Sequence, residues 1–365
     1  MPVPILSLPK NNEVDVEKLA AIFDRTSQCY KFLFFRSILN RSISSNHILL
    51  VDVLADMIEV AWWPVIHYRL TIGTGFSDHK MRLLLESKHD NLDERLQKID
   101  VQNFAAGLAA EQLTDQIKTG VIRWVRARLL RPWITAAEVP ETKIDRYVAN
   151  LTSAEAEQRN LPYFFRDNRT IEVRDPWVKY FVSNLPIIAA WADLAWLSWM
   201  QARNPNIVVT LDKLGPPPER IGLQKQTAFL KIALNAEAHP RCIFTGNTLD
   251  PKHIALDHFL PRSFVSHDRI WNLAPIAPTI NSSKGARLPR PESISRLAAF
   301  HSQAIDIAER NHIADWKKYR EEYSCDLRIE PEALTNPTKL AEAYQGTVGP
   351  MLAIAKRMGF PPDWP

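Results

Sequence analysis

Cysteine is scarce in this chain. Cys29, Cys242 and Cys325 are the only three in 365 residues, too few and too widely spaced for a disulfide framework. Long apolar runs are also missing. Residues 47–68 are interrupted by Asp52, Asp56 and Glu59, and residues 185–200 carry Asp193 and fall short of the ~20 residues that a membrane span needs. Both read as buried helices, and membrane insertion is not expected. Residues 1–10 have no basic leader ahead of their apolar residues and no small-residue cleavage site, so no signal peptide is expected, and reduced thiols in a cytoplasmic setting are the simplest reading. There is no internal repeat and no low-complexity tract.

What is present suits a globular protein: 46% apolar and 24% charged residues, with eleven Trp and fifteen Phe to fill a core. The length suggests two or three domains. The formal net charge is +4, but it is unevenly placed. Residues 241–290 hold seven Lys or Arg and three Asp, a net +4, so the remainder is electrically neutral. Positive charge gathered in one short segment is what a polyanionic partner requires.

The first 150 residues read mostly as helix, with amphipathic or aromatic-rich stretches at 15–25 and 30–39, and a further one at 115–130 that stops before Pro132. Asn46 is expected to cap the helix that follows it, and Ser77-Asp78 to cap another. Residues 161–174 read as a β-hairpin, after which Asp175 as N-cap and Pro176 open a helix that Pro186 interrupts or restarts. The proline-rich stretch 214–221 is the clearest linker. It separates a mostly helical part, 1–213, from residues 222–365. There, a helix at 223–236 leads into 241–290, followed by a helix at 292–310 and one at 338–358 broken by Gly346 and Gly349-Pro350. The expected fold class is mostly α with a small α+β module.

The chemistry concentrates in that module. Asp257 and His258 close an apolar run, Asn272 follows His258 by fourteen residues, and Asn281 lies nine further on, with Lys284-Gly285 beyond it. Hydrolysing a phosphodiester requires a base for water and compensation of charge on the phosphoryl and leaving oxygens. An imidazole titrates near neutrality and suits the base role. A carboxylate with an amide oxygen offers hard oxygen ligation suited to Mg²⁺. Residues 241–246 are expected to form a first strand and turn, 253–258 a second strand, and 278–281 to open a helix, which together would surround one site.

These residues resemble the HNH, or ββα-metal, nuclease family, most of all the branch that includes the HNH domain of CRISPR effector nucleases. The likeness covers Asp-His, Asn-Leu and Asn-x-x-Lys-Gly in order and in register. It implies that His258 is the general base and that Asp257 and Asn281 ligate Mg²⁺ or Mn²⁺. It places Asn272 in the catalytic set in a structural part, tying down the loop that fixes the histidine. Lys284 and Arg287 are implied phosphate contacts, and Arg262 and Arg269 are either further ones or surface charge. Many members carry paired Cys-x-x-Cys motifs. Here Cys242 stands alone, with Thr245 where a second would fall, so no structural zinc is expected.

DNA is the expected substrate because the family mostly acts there, although nothing in the residues separates it from RNA. One such site cuts one strand. HNH proteins with an added helical domain resemble effectors of prokaryotic anti-phage defence, with residues 1–213 as the place for a partner protein. A restriction-like enzyme and a catalytically silent DNA-binding protein are the alternatives. Elsewhere, Arg123, Arg126, Arg128 and Arg131, interleaved with Trp124 and Trp133, suggest either a second nucleic-acid surface or, the preferred reading, a helix with one solvated basic face. Trp191, Trp196 and Trp199 read as core.

Overall fold

The computed structural model describes residues 7–73, 80–87, 97–218, 222–236, 241–250, 253–313 and 315–364. The expected cap at Ser77-Asp78, residues 1–6 and the end of the linker lie outside them. The chain is mostly helical with two small antiparallel sheets. It divides into two compact units, Met1–Pro217 and Pro218–Pro365.

Unit 1 contains helices α1 (Val16–Ala20), α2 (Tyr30–Arg41), α3 (Leu50–Trp62), α4 (Lys80–Glu86), α5 (Lys98–Lys118), α6 (Val121–Arg128), α7 (Ile144–Ala149), α8 (Ser153–Gln158), α9 (Asp175–Ser183) and α10 (Leu185–Arg203). Strands β1 (His47–Leu49), β2 (Tyr163–Phe165) and β3 (Thr170–Val173) form a sheet in the order β1-β3-β2. Its core is aromatic: Phe32, Phe34 and Phe35 of α2 are buried, α2 packs on α3 and α10, and Trp177 and Trp196 are fully enclosed. Trp199 donates its ring N–H to the Thr26 carbonyl, as a packed tryptophan does.

Several boundaries differ from the sequence expectation. Asn46 is not an N-cap. Its carbonyl accepts the Val173 N–H at 2.8 Å, so the chain continues as β1 and the helix starts at Leu50. Asp175 sits one position inside its helix, because Arg174 still bonds to the Pro162 carbonyl as an extension of the sheet. The stretch 115–130 is broken where Gly120 leaves helical geometry, between α5 and α6. α9 and α10 meet at 85°, and no single described helix is long and apolar enough to cross a membrane.

Unit 2 begins with α11 (Gln224–Ala236). Strand β4 (Ala255–His258), the short helix α12 (Arg262–Val265), strand β5 (Leu273–Ile276) and helix α13 (Pro278–Lys284) follow. Three long helices complete it: α14 (Ser293–Arg310), α15 (Trp316–Leu327) and α16 (Pro337–Arg357). Residues 241–246 are not a strand. They close on themselves in a tight turn, Cys242 N–H to Asn247 O and Gly246 N–H to Cys242 O at 2.8 Å each, with Gly246 at φ +74°. β4 pairs instead with β5.

α16 runs unbroken through Gly346, Gly349 and Pro350. Leu340, Tyr344, Val348, Leu352 and Ala355 recur at helical spacing and are buried in contact with α14, and that burial offsets the ~3 kcal/mol that an interior proline costs. α15 has no counterpart in the sequence reading, although Trp316, Tyr319, Tyr323 and Leu327 are buried at the same periodicity.

His301 of α14 lies at the centre of this helical layer. It is fully buried, stacks on Tyr344, donates from Nε2 to the Leu273 carbonyl at 3.0 Å and accepts the Tyr323 hydroxyl at Nδ1. Burial lowers its pKa from 6.5 to about 3, and burial likewise lowers His267 to about 4. Both are neutral in the fold and become protonated more readily when the chain unfolds. Their stabilising contribution is therefore complete above pH 6.5 and is lost as the pH falls from there towards about 4 for His267 and about 3 for His301, at up to ~1.4 kcal/mol per pH unit for each group. The denaturant midpoint of unit 2 should fall between pH 7 and pH 5, and the drop should shrink in His301→Asn. An unchanged drop in that variant would show that His301 does not carry the effect.

Candidate active site

β4 ends in Asp257-His258 because Pro261 stops the strand and the next two residues are held elsewhere. Asn272, fully buried, accepts the Leu260 N–H at its Oδ1 (2.8 Å) and donates from Nδ2 to the Leu260 carbonyl (2.9 Å), while its own carbonyl accepts the Phe259 N–H (2.7 Å). Three bonds thus fasten the start of the 259–272 loop to its end. The register Asp257↔Ala274 and His258↔Leu273 places both side chains at the closed end of the hairpin, and α13 packs against β4.

The loop is also held from outside. The Tyr344 hydroxyl donates to the Trp271 carbonyl (3.1 Å), Trp271 Nε1–H donates to Asp326 (2.7 Å), the Ile270 N–H bonds to Glu322, and His301 holds Leu273. All three long helices of unit 2 therefore contribute to fixing the segment that carries Asn272.

His258 is nearly enclosed, its side chain 11% exposed, and Nε2 lies 2.8 Å from Asp268 Oδ1. Asp268 also accepts Arg262 Nε–H at 3.0 Å. The bond from His258, together with Arg262, holds the Asp268 carboxyl down at about 2, so it is ionised and can only accept. His258 therefore donates from Nε2 to Asp268, an arrangement in which the neutral ring has its lone pair on Nδ1. Asp268 has no motif around it and reads in the sequence as one more loop acid.

Asp257, its side chain 14% exposed, lies 2.8 Å from Lys284 Nζ through Oδ2. That oxygen is buried, and the Lys284 ammonium is its countercharge. Asn281 lies one turn before Lys284 on α13. A carboxylate and an amide oxygen are hard donors of the kind that Mg²⁺ or Mn²⁺ takes, and Asp257 and Asn281 are the residues that would supply them, with water and phosphate oxygens completing the shell. Among the described residues, no group of three or more His, Cys, Asp or Glu is placed to hold a metal.

The expected phosphate contacts are revised. Lys284 is buried, its side chain 0% exposed, with Nζ bonded to the His258 carbonyl at 2.7 Å and paired with Asp257. It braces the site from inside and does not reach outward to a phosphate. Arg262 is 15% exposed and held by Asp268. Arg269 is half-exposed between Glu322 (3.5 Å) and Asp326 (3.4 Å). Arg287 is exposed and lies over Trp364. Of the neighbouring histidines, His253 is exposed beside Asp250, and His267 is half-buried against Trp271.

The hairpin and α13 bring together the segments that carry Asp257, His258 and Asn281. Residues 242–290 match the family model of the HNH endonuclease, a span that contains the whole of this site and none of unit 1. No curated protein and no solved structure matches the chain.

Proposed function

We propose that the chain is a metal-dependent endonuclease that hydrolyses DNA phosphodiester bonds, one strand per site. The observation that carries this reading is the His258–Asp268 pair, which leaves Nδ1 of a nearly enclosed imidazole as a base beside Asp257. His258 Nδ1 takes a proton from water as that water attacks phosphorus in line. The ionised Asp268 stabilises the imidazolium that forms. The P–O3′ bond breaks, leaving a 5′-phosphate and, once the leaving oxygen is protonated, a 3′-hydroxyl. A divalent ion held by Asp257 and Asn281 would supply charge compensation at the phosphoryl and leaving oxygens. Asn272 keeps the histidine in place through its clamp on Leu260.

The reading extends to an effector of prokaryotic anti-phage defence. It is supported by the attachment of a small nuclease module to a larger helical unit, through which a partner protein would act.

Supercoiled plasmid incubated with the full chain and Mg²⁺ should convert to the relaxed circle well before linear product accumulates. EDTA should stop conversion, and excess Mg²⁺ or Mn²⁺ should restore it. Cutting undiminished in EDTA would overturn the metal-dependent reading, and linear product formed from the start would overturn the assignment of one strand per site.

A further inference from the structure

Unit 1 contains a basic hollow unrelated to the nuclease motif. Four chain segments converge on it: the end of α5, α6, α7 and the β2–β3 turn. They enclose about 460 Å³ and bring Lys118, Arg123, Arg126, Arg146 and Arg169 together with a single carboxylate, Asp145. Asp145 does not balance them. Arg123 is within salt-bridge distance of it, at 3.9 Å, and Asp145 acts on Arg126 and Arg128 only from further away; among the described residues Arg126, Arg146 and Arg169 form no ion pair of their own.

Two of these cations are held in place before any ligand arrives. Arg123 lies over the Trp124 ring at 4.6 Å, and Arg126 lies over Phe165 at 5.1 Å. Both guanidinium groups are thereby fixed at small entropic cost. Arg126 is in part withdrawn from water, and that burial lowers its pKa despite the opposing pull of Asp145 and Tyr163, with Arg123 adding to the lowering. Uncompensated positive charge at a partly dry site is relieved by a bound anion.

We propose that this hollow binds the phosphate backbone of a nucleic acid, without reading its bases. The lining supplies cations on several sides but only small aliphatic surface from Ile117 and Ala149, and the nearest aromatic rings are covered by the arginines themselves. A nucleotide pocket would need an open apolar or aromatic face for the base. Phosphate contacts from Arg and Lys position a polymer without sequence preference. The choice of a nucleic acid as the polyanion rests on the nuclease reading; the phosphate chemistry does not. The arginines of residues 123–131 thus divide, because Arg128 and Arg131 are engaged by Glu141 while Arg123 and Arg126 line the hollow.

The test uses the full chain, without divalent metal, and a fluorescent 30-base-pair duplex followed by anisotropy across a salt series. Arg146→Glu and Arg169→Glu are exposed substitutions, and Lys179→Glu, on α9 and outside the lining, makes the same charge change. Each of the first two should weaken binding roughly 3–10-fold at low salt and reduce the slope of log K against log salt by about one, while Lys179→Glu keeps the wild-type slope. Arg146→Glu and Arg169→Glu indistinguishable from Lys179→Glu would overturn the proposal. If that happens while wild type still nicks plasmid, this inference fails and the nuclease reading stands. If the hollow binds duplex as described but no condition yields cutting, the nuclease reading fails and this one stands.

Discussion

Replacing His258 with alanine is expected to slow plasmid nicking by ~10²–10⁴-fold, the range that a positioned general base contributes. The substitution should leave the fold intact. His258 contributes its backbone to the β4–β5 ladder and to Lys284, and neither bond uses the imidazole. Asp268→Asn should reduce the rate on the order of 10–100-fold, as loss of an orienting partner does. An asparagine still bonds to Nε2, but it no longer compensates the charge that forms on the ring. The loss should fall on kcat with KM held, since Asp268 reaches the reaction only through His258 and Arg262. Plaque counts on cells producing the wild-type or His258→Ala protein extend the same comparison to the proposed anti-phage role. Wild-type nicking rates in His258→Ala would remove the base from the mechanism.

The second large effect is on stability. Lys284→Met should destabilise unit 2 by ~3–5 kcal/mol, seen as a lower denaturant midpoint. The methionine fills most of the lysine's volume but leaves Asp257 buried without its countercharge and the His258 carbonyl without its donor. The penalty comes from the orphaned carboxylate, so Asp257→Asn introduced with Lys284→Met should recover much of it. A single variant as stable as wild type would mean that the Asp257–Lys284 contact does not hold the module together. A double variant no better than the single one would place the cost in lost packing over Phe244.

How far the sequence could be read depended on where each residue's partners lie along the chain. Helices α2, α10 and α14 were legible because their apolar spacing and flanking prolines or polar residues are local. The hairpin β2–β3 was legible for the same reason. Its third strand was not, because β1 exists only through pairing with residues about 120 positions away. The strand expected at 241–246 failed similarly, since β4 finds its partner downstream in β5.

Within the site, the motif spacing pointed to Asp257, His258, Asn272 and Asn281, and the structure brings the elements that carry them together. It did not show which way Lys284 points. A lysine is ordinarily read as facing solvent, and this one is turned inward by a carboxylate 27 positions before it. Asp268, Glu322 and His301 carry no motif at all. Their parts follow from tertiary neighbours alone.

The hold of Tyr344 on Trp271 spans 73 positions of chain. Protein is made from its N-terminus, at ~5–20 residues per second. When a ribosome has just completed Gly285, every residue of the motif exists, but α14, α15 and α16 do not. The 259–272 loop then lacks the outer supports that fix Ile270, Trp271 and Leu273. Several seconds of further synthesis separate a complete motif from a supported one. A nascent chain therefore passes close to the ribosome's own nucleic acid while the residues of the proposed site are present but their loop is not yet braced.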